Sequence, residues 1–144
     1  MFGTQEAKWM ARAKRIPSVD DFHRIIRKLG RLLVALINEQ APTKRKKVGW
    51  ESGFIDVRWV GDIPDNVHNL IAKIRFTRAN GTKLGSVQIP HEISALYEAI
   101  GRLRLSIFTP IWYGLKVTVY PDAKPVVAFD ENPECCVDPL WYQS

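Results

Sequence analysis

The chain has 144 residues, 46% of them apolar and 25% charged, with a net charge of +6. A chain of this length makes about one domain and can bury roughly 70% of the surface its unfolded form exposes, so it needs neither metal nor disulfide to fold. No apolar run approaches the ~20 residues that cross a bilayer, and the opening Met1-Phe2-Gly3-Thr4-Gln5-Glu6 lacks the basic and apolar regions of a signal peptide. A cytoplasmic protein with no membrane role is the expectation.

Charge is uneven along the chain. Residues 1–50 hold twelve Lys and Arg against four Asp and Glu, whereas residues 51–144 hold nine against eleven. All the excess positive charge therefore lies near the N-terminus, a pattern suited to an acidic partner or to nucleic acid. The only cysteines, Cys135 and Cys136, are adjacent; a bond between neighbours would close a strained ring, so two reduced thiols are expected.

Residues 1–17 form a basic lead that can make two helical turns, ordered only if Trp9 and Met10 dock. Ser18 then opens the strongest helix, an N-cap with Asp21 three residues on in a variant of the capping box. Phe22, Ile25, Ile26, Leu29, Leu32, Leu33, Leu36 and Ile37 recur at helical spacing and make one apolar stripe facing a core. Arg24, Arg27, Lys28 and Arg31 form a basic ridge on another face without acidic partners four residues on.

Pro42 ends the helix, and Thr43-Lys44-Arg45-Lys46-Lys47 is a basic linker. Strands are predicted over 54–60, 69–77 and 84–89, the last two joined by an Asn80-Gly81 turn whose residues both tolerate positive φ. Between the first two, residues 61–66 form a turn-rich loop. A second helix starts near His91 with Ile93, Leu96, Tyr97, Ile100 and Leu103 on one side, and Pro110 stops it. A hairpin follows, strands 112–120 and 126–129, turning at Pro121-Asp122-Ala123-Lys124-Pro125.

The order α-β-β-β-α-β-β, with hairpins rather than crossovers, predicts an α+β fold: a mostly antiparallel sheet of about five strands with helices packed on one face. The single domain spans 18–134, between the 1–17 lead and a 135–144 tail. The other sheet face, polar and aromatic, is expected to be free to bind, with Trp112 alternating with Gly114 and Lys116 against Leu115, Val117 and Val119.

No constellation for catalysis is legible: there is no phosphate-binding glycine loop, His-Glu-x-x-His, nucleophile elbow or paired carboxylates. His23, His68 and His91 are scattered, and Asp56, Asp62 and Asp65 read as turn-forming and solvating acids rather than cation ligands. No enzyme, metal or cofactor is expected. Trp50, Trp59, Trp112, Tyr113, Trp141 and Tyr142 are more large aromatics than such a core needs, and Trp and Tyr anchor interfaces, with core packing as the alternative for Trp59 and Trp112. Pro139-Leu140-Trp141-Tyr142 is unusually apolar for a terminus, so it either docks or reaches a partner.

The order of an amphipathic helix, a meander ending in Ile89-Pro90, a Leu/Tyr/Glu-rich helix from Ile93 to Leu105, then Trp112-x-x-Leu115-x-Val117-x-Val119 and a Phe129-Asp130-Glu131 ending resembles the YezG-like immunity proteins of bacterial polymorphic toxin systems. The resemblance covers roughly Ser18 to Glu134. It implies a small cytoplasmic protein that binds and neutralises a cognate toxin domain. The chain departs from it in its basic character, its extra lead and the two prolines of its hairpin turn; a basic inhibitor suits an acidic toxin surface.

Contacts are then expected from the open sheet face, with Trp50, Trp59 or Trp112 filling pockets, from Asp62 and Asp65 in their loop, and from Asp130 and Glu131 against cationic toxin groups. The ridge of Arg24, Arg27, Lys28 and Arg31 would meet an acidic rim. The alternative is a basic nucleic-acid-associated protein, with that ridge and Lys44–Lys47 on phosphates and Trp50 or Trp59 stacked on a base.

Overall fold

A computed structural model of the chain describes residues 18–41, 49–60, 70–79 and 83–143. Expectations for Trp9, Met10, the 43–47 linker, His68, the loop with Asp62 and Asp65 and the Asn80-Gly81 turn fall outside the described residues.

Helix α1 spans Val19–Gln40. Its capping box is complete: the Asp21 N–H donates to Ser18 Oγ at 3.4 Å and the Ser18 N–H to Asp21 Oδ2 at 3.0 Å, so two N-terminal donors are satisfied reciprocally. Strands β1 (Trp50–Trp59), β2 (Leu70–Arg78) and β3 (Lys83–Val87) follow, then α2 (His91–Ile107), β4 (Gly114–Val119) and β5 (Val126–Asp130). The Thr109–Pro110 peptide between α2 and β4 is cis. The strands form one sheet in the order β3-β2-β1-β4-β5, every neighbouring pair antiparallel. The fold is α+β, as the sequence predicts.

Register fixes the two faces. Ile55 pairs with Ile74 and Val117, Val57 with Ala72 and Leu115, and this inward set packs against Leu29, Leu33 and Ile37 of α1 and Ile93 and Ile100 of α2 in a single core. Gly53 sits where α1 crosses β1: a Cβ there would lie 2.2 Å from Ile37 Cδ1 and 3.2 Å from the Arg75 carbonyl oxygen, so the close approach of helix and sheet requires glycine. Beyond β5, two short 3-10 turns, Cys135–Val137 and Pro139–Gln143, complete the described chain. No helix among the described residues is long and apolar enough to cross a membrane.

Candidate partner-binding surface

The tryptophans named as interface anchors lie in the core: for Trp59 and Trp112 this is the alternative the sequence left open, and for Trp50 it corrects the expectation. Trp50, Trp59 and Trp112 are each 2% exposed or less. Trp59 shares the inward parity of Ile55 and Val57, so the alternation of its own strand places it there. Trp50 buries its ring and donates Nε1–H to Asn38 Oδ1 on α1 at 2.8 Å. Trp112 precedes β4, which starts only at Gly114; the strand's alternation does not extend to it. It turns inward against Trp59 (5.5 Å between centroids), Phe108 (5.3 Å) and Phe129 (5.0 Å).

The sheet's second face is only partly open. Its outward residues include Phe54, Asp56, Arg58, Lys73 and Lys116, and the C-terminal segment lies across part of it. Arg58 donates to the Cys135 carbonyl and Lys73 to the Trp141 carbonyl. The Trp141 ring, 7% exposed, stacks under Lys73 Nζ at 4.3 Å, with the Arg58 guanidinium at 5.8 Å. Asp56, read from sequence as a solvating acid, is instead 8% exposed on β1, with Arg58 Nε 3.4 Å from its carboxylate. Burial beneath the segment pushes the Lys73 ammonium below its usual range, opposed by the Asp56 carboxylate. Of the two readings left open for Pro139–Trp141, docking on its own domain is the one observed.

Cys135 and Cys136, at the start of the same segment, are free and buried thiols. Burial first, then the nearby Asp130 carboxylate, pushes the Cys135 thiol up to about 11, against the lowering effect of Arg58. A pKa raised in the folded state adds stability that is complete below the unfolded value near 9 and is lost as pH rises towards 11. In a Cys136→Ser background, Cys135 should therefore react with iodoacetamide at pH 8 about 100-fold more slowly than an ordinary exposed thiol, because the thiolate is the nucleophile. Reaction at the rate of the unfolded chain would show that the segment is not docked.

The exposed surface of α1 carries the basic ridge. Arg24, Arg27, Lys28 and Arg31 are all exposed on α1. Arg24 has an acidic neighbour one turn back, Asp21, at 3.6 Å; Arg27 and Arg31 have no ion-pair partner among the described residues. These two arginines border a groove of about 570 Å³ between α1 and the β4–β5 turn. Its walls are Gly30, Val34, Val119, Tyr120, Pro121 and Pro125, and its rim adds Lys124 and Asp122. Glycine at position 30 lets the turn approach the helix: a Cβ there would be 3.0 Å from Pro125 Cγ. The groove thus joins an apolar floor to three cations and one carboxylate. Sequence reasoning found the ridge and the turn separately, since only the packing of β4 on α1 brings them together.

At the far end of β5, Glu131 is exposed and Asp130 half-buried. Asp130 Oδ1 accepts the Asn132 N–H at 2.9 Å, so part of its hydrogen-bonding capacity serves the chain's own turn. A smaller concavity of about 200 Å³ lies beside it on the sheet face, lined by Asp56, Arg58, Lys116 and Asp130 among others. No group of three or more His, Cys, Asp or Glu side chains is placed to hold a metal ion among the described residues. No family model matches the chain, and no curated protein matches it.

Proposed function

We propose that the protein is a non-enzymatic immunity protein of the bacterial cytoplasm, which neutralises a cognate toxin domain by protein–protein contact through the groove between α1 and the β4–β5 turn. The observation that supports this best is an apolar floor flanked by Arg27 and Arg31 on the α1 side and by Lys124, with Asp122, on the turn side. Arginine forks bind carboxylates in bidentate geometry and are enriched among the residues that dominate interfaces. An acidic, partly apolar toxin surface fits this site. On the sheet face Asp56 and Arg58 pair with each other and Arg58 also donates to the C-terminal segment, so both side chains serve to hold the structure together.

Co-expression with a toxin domain encoded immediately upstream tests the reading. The expected result is protection from the toxin and a one-to-one complex. Reversing both charges, Arg27→Glu with Arg31→Glu, should weaken that complex at least ~30-fold, about 2 kcal/mol, with folding unchanged by circular dichroism because both side chains are exposed. Full protection and unchanged affinity in the double variant would remove the groove from the interface; no binding to the toxin domain at all would remove the function.

The exposed ridge Arg24-Arg27-Lys28-Arg31 also favours the second reading, binding to nucleic acid. Yet Trp50 and Trp59, which base stacking would need, are buried. Four phosphate contacts lose about 100-fold in affinity between 50 and 200 mM salt, so RNA or DNA should be held only weakly at physiological salt. Micromolar binding there would put this reading first.

A further inference from the structure

The two edges of the sheet are unlike. At one edge, pairing of β3 with β2 is irregular between Phe76 and Thr77, and β3 opens with Lys83; a register break and an edge lysine are both devices that discourage another strand from adding. At the other edge, β5 pairs with β4 in unbroken register over all five of its residues, Val126-Val127-Ala128-Phe129-Asp130. It carries no lysine, internal proline or bulge. Val126 and Phe129 are 54% and 44% exposed.

The direction of its free hydrogen-bonding groups follows from the ladder. The Trp59 N–H donates to the Tyr113 carbonyl, so the odd-numbered residues of β4 face β1 and the even-numbered ones face β5. Val126, Ala128 and Asp130, opposite Thr118, Lys116 and Gly114, then bond to β4. Val127 and Phe129 direct their N–H and C=O groups away from the sheet, where β5 has no strand neighbour among the described residues.

We propose that β5 is a self-association edge: a second copy of this chain pairs its own β5 antiparallel to it about a two-fold axis at Ala128, joining the two sheets into one. Pairing the whole strand with itself puts the axis at its middle residue. Val127 of one copy then faces Phe129 of the other, so the outward groups of both meet and exchange hydrogen bonds. The one charge in the strand, Asp130, falls opposite Val126, so no like charges oppose each other within it. Just beyond, Lys124 meets Asn132 of the second copy, between that copy's Glu131 and Glu134. A two-fold axis closes the contact, so it yields a dimer rather than a fibre. This inference does not rest on the toxin-binding reading.

Ala128 is exposed and points away from the helices, so it can be changed without touching the core. Sedimentation velocity over a rising concentration series should show the wild-type chain passing from its monomer mass of 16.5 kDa to twice that. Ala128→Lys and Ala128→Glu, each placing like charges face to face across the axis, should each raise the dissociation constant at least tenfold. An equimolar mixture of the two should recover a heterodimer, resolved by its charge on native gels. The smaller change Ala128→Cys should give a disulfide-linked dimer under mild oxidation, whereas the wild-type chain, its own thiols buried, should not. A wild-type chain that stays monomeric across the series overturns the proposal, as does a dimer that Ala128→Lys leaves as tight as before.

Discussion

Replacing Trp112 by alanine is expected to cost about 4 kcal/mol of folding stability, the range for emptying a buried aromatic site, and to lower the melting temperature by about 10–15 °C for a domain of this size. The indole is 2% exposed and forms one aromatic cluster with Phe22, Trp59, Phe108 and Phe129. That cluster joins the start of α1, the end of α2 and strands β1 and β5, so no single neighbour can move in to fill the cavity. Trp112 Nε1 is buried without a hydrogen-bond partner, so the larger loss comes from packing. Trp112→Phe, which removes the unpaired N–H and keeps a ring, should therefore cost less than about 1.5 kcal/mol. Chemical denaturation of both variants measures the difference. A Trp112→Ala protein as stable as wild type but defective in binding a partner would instead make this side chain an interface anchor.

Trp141→Ala is expected to release the C-terminal segment from the sheet face, with a loss of about 2–3 kcal/mol. The ring fills the space over Lys73 and Arg58, and much of what holds the segment down is this contact with the backbone bonds that Lys73 and Arg58 donate. Since the segment is the last piece of the described chain, the effect should appear as local opening before global unfolding. Hydrogen exchange over residues 135–143 should accelerate and Cys135 become alkylatable at pH 8, while the far-ultraviolet circular dichroism of the helices and sheet stays unchanged. With the cover removed, the Lys73 ammonium should return towards its usual range, because burial is the main cause of its lowering. Unaltered exchange and thiol reactivity would mean that the segment is held by something other than Trp141.

Much of the architecture follows from local pattern. The helical spacing from Phe22 to Ile37, the Ser18–Asp21 capping pair and the alternation Ile55-Val57-Trp59 each describe a property of one element, and that property survives into the fold because the element carries its own period. The ridge Arg24-Arg27-Lys28-Arg31 is legible for the same reason: helical spacing sets which residues share a face and the charges keep that face in water.

Only the tertiary structure decided what covers each surface. Periodicity tells which residues of a strand point the same way, and it is silent on Trp112, which lies two residues before β4 begins. The bonds that dock the C-terminal segment join residues 68 and 77 positions apart, a separation across which no local pattern operates. The groove that carries the proposed function depends likewise on Gly30 of α1 meeting Pro125 of the β4–β5 turn. The exposed edge of β5 became visible once the strand order was known, since any strand can be central or terminal until its neighbours are placed.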